Sequence, residues 1–156
     1  MKKYPLGTIE LGQTLNVSDP CYKEGEGEQI NLDNFRKGTY LVSVVIADNM
    51  ETDGMGNRAA SLWVEPFVNV VISHTAYKNI GHIGVDSAMV GIFPKKPDFE
   101  KEELWKMSSE LIAQENLSML IKNGVVSKSG FGDGVYPVLA VKNRRGEYIA
   151  LAVTFI

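Results

Sequence analysis

The sequence is short of several things that would announce a function. Its single cysteine, Cys21, excludes an intramolecular disulfide framework and any zinc site built from several cysteines, and fits a reducing compartment. Its two histidines, His74 and His82, make no recognised metal-ligand spacing, so no metal and no cofactor is expected. No stretch approaches the roughly eighteen apolar residues of a membrane span. The start, Met1-Lys2-Lys3-Tyr4-Pro5-Leu6-Gly7, lacks the apolar run of a secretory signal, and a cytoplasmic protein without a membrane partner is expected. Basic charge is not in excess either: sixteen Lys and Arg stand against nineteen Asp and Glu, a net charge of −3. A chain that neutralises many phosphates carries the opposite balance, which argues against nucleic acid as a partner.

What is present is an ordinary globular composition with one excess. Hydrophobic residues make up 44% and charged residues 22% of 156, which sets disorder and fibrous architectures aside and suits one domain over residues 1–156. Glycine is the excess: fifteen residues, with no low-complexity tract to hold them, imply many turns and close backbone approaches, hence a strand-rich fold.

The apolar pattern carries this further. Gly7 to Leu11 and Thr14 to Ser18 read as a short hairpin about Gly12. Thr39 to Ala47 crowds apolar side chains on both faces, as a strand covered on both sides would, and Arg58 to Val64 is its antiparallel partner. Residues 67–72, His82 to Asp86 and Met89 to Phe93 read as further strands. A helix is expected over 98–122, capped by Asp98, with Leu104, Met107 and Leu111 on its buried stripe, a break near Asn116 and a stop at Lys122-Asn123-Gly124. Tyr136 to Val141 and Glu147 to Phe155 flank Asn143-Arg144-Arg145-Gly146 and form a C-terminal β-hairpin. The expected class is α+β: mainly antiparallel sheet, sandwich-like or curved, with one long helix.

Several segments invite a chemical reading. Asn49, Glu51, Asp53 and Gly54 match part of a calcium loop, but Ala60 stands where the bidentate Glu belongs, and a hairpin loop describes the segment better. In Ser129-Gly130-Phe131-Gly132-Asp133-Gly134 backbone N–H groups can cradle an anion if they converge. The spacing and the following strand match neither a dinucleotide nor a P-loop fingerprint, and a structural turn is the stronger reading. His82, Asp86 and Ser87 suggest a nucleophile, but neighbours on a strand point to opposite faces and no G-x-S-x-G elbow is present. Cys21 reads as a small buried hydrophobe. Arg144 and Arg145, with Lys142, form a compact basic spot that can grip a phosphate or carboxylate, or simply solvate a turn. Trp63 and Trp105 read as packing residues. The acids Glu24, Glu26 and Glu28, Asp48, Glu51 and Asp53, and Glu100, Glu102 and Glu103 read as separate solvated segments rather than one face imitating nucleic acid.

Three separated segments, Ser18-Asp19-Pro20-Cys21-Tyr22, Gly84-Val85-Asp86-Ser87 with Gly91-Ile92-Phe93, and Gly124 to Pro137 with its Ser129-Gly130-Phe131-Gly132-Asp133-Gly134 core, occur in an order that resembles a family of small uncharacterised proteins of Gram-positive bacteria and their phages. That pattern runs S-D-P-C-Y, W-G-N-R, G-V-D-S-G-Q-A-G-I-F and S-G-Y-G-D-G-x-Y-P. This chain departs from it at Met55, where the pattern has Trp, and at Ala88-Met89, where it has Gly-Gln. The resemblance implies a phage or prophage setting, hence the host cytoplasm. It also directs attention to polar residues that do not look chosen for a core: Asp19, Tyr22, Asn57, Arg58, Asp86, Ser87, Ser129, Asp133 and Tyr136.

These readings favour a binding protein that inhibits or sequesters a host factor, such as one of host defence, or a small anionic, nucleotide-like ligand. The expected ligand residues are Arg58, Asp86, Ser87, Ser129, Gly130, Gly132, Asp133, Tyr136 and Arg144. The alternative is a small hydrolase using Asp86, Asp133 and Ser129 or Ser87. A non-enzyme is favoured, and the oligomeric state is left open.

Overall fold

The computed structural model describes residues 1–47, 56–68 and 71–156. The calcium-loop residues Asn49, Glu51, Asp53 and Gly54, and the acid Asp48, lie outside them. Eleven strands are assigned among the described residues: β1 Lys2–Leu11, β2 Leu15–Ser18, β3 Ile30–Leu32, β4 Gly38–Ala47, β5 Arg58–Pro66, β6 Lys78–Val85, β7 Met89–Phe93, β8 Ser118–Ile121, β9 Gly124–Lys128, β10 Gly134–Lys142 and β11 Tyr148–Thr154. The helix α1, Lys101–Ala113, falls between β7 and β8.

The strands form two antiparallel sheets, one ordered β1-β4-β5-β11-β10-β6 and the other β3-β2-β7-β9-β8. Period-two alternation brings them face to face. Val42 and Val44, Leu62 and Val64, Val138, Leu151 and Val153 of the larger sheet share a core with Val17, Val90, Ile92 and Val125 of the smaller. The intervening residues of the smaller sheet, Met89, Phe93 and Val126, point the other way and pack with Met107 and Leu111 of α1. The layers are therefore sheet, sheet, helix, and the α+β class with an antiparallel sandwich stands. Gly91 makes one close approach possible: a Cβ there would lie 2.1 Å from the ring of Phe93.

Several boundaries differ from the expectation. Gly7–Leu11 and Thr14–Ser18 do not pair; β1 pairs with β4, and the chain crosses at Gly12–Thr14 into the second sheet, where β2 pairs with β3 and β7. Phe67, Val68, Val71 and Ile72 are not in a strand. Only one face of β4 is fully covered, since Leu41 and Val45 are half-buried. The helix starts after Glu100, whose N–H donates to the Glu103 side chain, and ends at Ala113. Its expected second half is β8, in which Leu120 faces the inter-sheet core while Met119 and Ile121 face α1. A strand that turns apolar side chains to both faces, as Met119, Leu120 and Ile121 do, shows no apolar–polar alternation to betray its period. Lys122-Asn123 is then the two-residue turn of the β8–β9 hairpin, and the expected C-terminal hairpin is β10–β11.

Candidate functional site

The three motif segments meet where the chain passes from β6 to β7. Asp19 opens a turn in which the Tyr22 N–H donates to its carbonyl, the geometry an Asp-Pro pair favours. Its side chain is fully buried and accepts four hydrogen bonds. Oδ1 accepts from the Cys21 N–H at 2.8 Å and the Ser87 hydroxyl at 2.5 Å; Oδ2 accepts from the N–H groups of Asp86 and Ser87 at 2.7 Å each. One buried carboxylate thus joins the two turns, and its charge is compensated by donors that the crossing would otherwise leave unpaired. Tyr22 reaches over the same crossing and donates its hydroxyl to Asp86.

The glycine loop closes the knot from the other side. Ala88, in the left-handed region at φ 57°, donates its N–H to Asp133 Oδ1 at 3.0 Å and accepts from the Ser129 N–H at 3.1 Å. The Ser129 hydroxyl and the Gly132 N–H bridge the loop internally, and the Tyr136 hydroxyl donates to the carbonyls of Ser129 and Gly132. Arg58 Nη1 donates to the Gly130 carbonyl at 3.0 Å, and its guanidinium lies 4.4 Å over the Phe131 ring. Gly130 is required here: its φ is 57°, and a Cβ would lie 2.8 Å from Phe155 Cβ.

The structure therefore gathers Arg58, Asp86, Ser87, Ser129, Gly130, Gly132, Asp133 and Tyr136, and Arg144 is not among them. Arg144 sits on the β10–β11 turn, at the opposite end of β10 from Asp133, a separation of roughly 30 Å at about 3.3 Å per strand residue. The donors and acceptors of the gathered residues face one another. Ser87 and Ser129 give their hydroxyl protons to Asp19 and Gly132, and the N–H groups of Ser129 and Gly132 are directed into the loop. His82 contacts Glu28, and His74 stacks edge-on against Trp63. Cys21 is held as a thiol: burial, and then the hydrogen bond and charge of Asp19, push its pKa from 9.0 up to about 12.

Beside the knot lies a groove of about 420 Å³ between α1 and the two tied turns, with Cys21, Ser87 and Met89 on one wall and Lys101, Leu104, Trp105, Ser108 and Ser109 on the other. Ser87 is the member of the expected set that reaches it. Trp105, expected to pack, is 71% exposed. The sequence holds the signal for this: at about 100° per residue, Trp105 lies about 130° from the centre of the Leu104, Met107 and Leu111 stripe. Lys101 and Ser108 follow it onto the same side of the helix. The acids Glu24, Glu26 and Glu28 lie on the loop after Tyr22, whereas Glu100, Glu102 and Glu103 lie at the start of α1.

Comparison with protein-family models, with curated proteins and with solved structures finds no match to this chain. Among the described residues, no helix is long and apolar enough to cross a membrane.

Proposed function

We propose that this chain is a binding protein rather than an enzyme, a phage or prophage accessory factor of the kind the sequence resembles, acting in the host cytoplasm by sequestering a small anionic, nucleotide-like ligand in the groove beside α1. The observation that carries the reading is Trp105, exposed on the groove wall one turn after Lys101 and one turn before Ser108. An indole face accepts a planar base by stacking, typically about 1–3 kcal/mol per base. Lys101 supplies one positive charge for the anionic group. The hydroxyls of Ser108 and Ser109 can fix orientation, and the neutral Cys21 thiol does not oppose an anion. The groove falls within the roughly 300–1,000 Å³ of small-molecule sites. The hydrolase alternative draws no support from the hydroxyl groups of Ser87 and Ser129, which are committed to Asp19 and Gly132.

The test is a thermal-shift panel of nucleotides and cyclic nucleotides, read beside a native mass spectrum of the purified chain. A ligand at a hundred times its Kd adds about 2.7 kcal/mol to the folded state, enough for a clear rise in Tm. No stabilisation by any anion, together with no co-purified mass, would overturn this reading. A second reading, a host protein as partner, is favoured by Ile112, 65% exposed two turns beyond Trp105 on the same side of α1 and outside the groove. Ile112→Ser separates the two: it weakens a protein complex and leaves a small ligand's Tm shift intact.

A further inference from the structure

The far end of β10 gathers charge of the opposite kind to the chain as a whole. The segment 34–37 lies against the C-terminal hairpin: the Arg36 N–H donates to the Tyr148 carbonyl at 2.8 Å, the Tyr148 N–H to Asn34 at 3.0 Å, and the Asn34 amide to the Gly146 carbonyl at 2.9 Å. This brings Arg36 and Lys37 beside Lys142, Arg144 and Arg145, all five exposed, on a protein whose net charge is −3. Lys142 is held 4.9 Å over the Tyr148 ring. Among the acids on this side, Glu147 accepts from the Asn143 amide and Glu10 from the Thr39 hydroxyl.

An apolar groove of about 340 Å³ adjoins these cations, with Arg36 and Lys37 on its rim and Tyr40, Pro66 and Ile149 in its lining. Phe67 and Val68, 59% and 68% exposed, stand at its edge, where the Phe67 N–H is fixed to the Thr39 carbonyl at 3.1 Å. Large apolar side chains left in water beside Arg36 and Lys37 suit a surface that is covered by something both acidic and apolar.

We propose that this cationic end of the larger sheet docks an acidic segment of a partner protein, which sets an apolar side chain into the groove beside Phe67 and Val68 while its carboxylates meet Arg36, Lys37, Arg144 and Arg145. Charge complementarity selects the occupant. The acidic loop of a second copy, Lys23-Glu24-Gly25-Glu26-Gly27-Glu28, has no apolar side chain to place in the groove; the start of α1, with Glu100, Glu102 and Glu103 beside exposed Trp105, does, and self-association through it is one of the outcomes that the test reads. A nucleic-acid strand would match the cations and could stack a base on Phe67, but it brings no aliphatic side chain for the groove lined by Tyr40, Pro66 and Ile149. The arginines add fork geometry that pairs with carboxylates in two parallel hydrogen bonds.

The test uses the full chain and three fluorescent probes of equal net charge: a short Glu/Asp peptide containing Leu and Phe, the same peptide with both replaced by Ser, and a single-stranded oligonucleotide. The Leu/Phe peptide binds best, loses affinity as salt rises, and weakens by about tenfold or more against Arg144→Glu/Arg145→Glu and against Phe67→Ser/Val68→Ser. All these substitutions are exposed, and unchanged Tm values confirm that the fold is intact. Equal binding of the Ser peptide, tighter binding of the oligonucleotide, indifference to the variants, self-association through this end, or no binding would each overturn the proposal. Trp105→Ala leaves the peptide affinity unchanged, so this surface and the α1 groove fail or stand separately.

Discussion

On one side of the Asp86–Ala88 crossing, polar side chains look inward: Asp19 accepts four hydrogen bonds in full burial, and Tyr136, Ser129 and Arg58 hold the carbonyls of the glycine loop. On the other side, along α1, the side chains with the most to offer a ligand look outward: Trp105, Lys101 and Ser109 are exposed above the groove. The motif residues that most resemble a site in the sequence are the ones that build the scaffold. The residues that resemble ordinary helix surface are the ones available for recognition, and the scaffold holds their facing wall in place.

The strongest way to break this contrast is to remove Asp19. Asp19→Ala takes the acceptor from three part-buried backbone N–H groups; at the lower end of about 1–3 kcal/mol each, because water reaches them in part, a loss of about 3–5 kcal/mol is expected in urea denaturation. A loss under about 1 kcal/mol would show that water replaces the carboxylate and that the knot is not structural.

Alkaline titration reads the knot through Cys21, Tyr22 and Tyr136, together with Tyr40 and Tyr77 elsewhere in the fold. Burial raises Tyr40 and Tyr77 from 10.0 to about 12, and Cys21 rises from 9.0 to about 12. The hydrogen bond to Asp86 raises Tyr22, and burial raises Tyr136. With folded values above unfolded ones, the native state keeps protons that the unfolded chain has released. This stabilisation is complete below about pH 9 and is lost as pH rises through about 12. Lys96 and Lys128, lowered by burial, act in the opposite sense in the alkaline range. Five groups are raised against two lowered, so Tm should fall progressively above pH 9. Cys21 should react slowly with alkylating reagents at pH 8 and accelerate without a plateau until well above pH 10.

A smaller effect, of opposite sign, is expected at Ala88. Its φ of 57° is one that Gly adopts without cost. The Asp133 and Ser129 bonds hold the strained residue in place. Ala88→Gly should therefore stabilise by about 1 kcal/mol. A destabilisation of that size would mean that unfolded-state entropy outweighs the strain.

How much of this was legible beforehand follows from the range of each signal. The C-terminal hairpin and the β4–β5 pair were readable because turn and alternation are local. The sheet crossings at Gly12–Thr14 and Asp86–Ala88 were not, since which strand a strand pairs with is decided by distant partners. Leu117 to Ile121 reads as helix because β8 turns apolar side chains to both of its faces and shows no alternation. That the motif segments deserved attention as a group was legible, and the structure brings them together. That Asp19 is their hub was not, because its four donors come from residues up to 68 positions away. Trp105 reads as a packing residue on an apolar stripe, whereas its angle on the helix, about 130° from the centre of that stripe, was within reach of the helical period.

Trp105→Ala has the smallest expected effect on stability and tests the outward-looking side most directly. The indole is largely solvated, so its removal should change unfolding free energy by no more than about 0.5 kcal/mol. The same change removes the stacking surface, and the Tm rise produced by a bound nucleotide-like ligand should disappear with it. Lys101→Gln should reduce that rise without abolishing it and should weaken its salt dependence, because one exposed charge contributes modestly beside a ring face. If Trp105→Ala leaves the ligand-induced shift intact, the groove is not the binding surface. If it instead unfolds the protein, Trp105 belongs to the scaffold and the contrast between the two sides is lost.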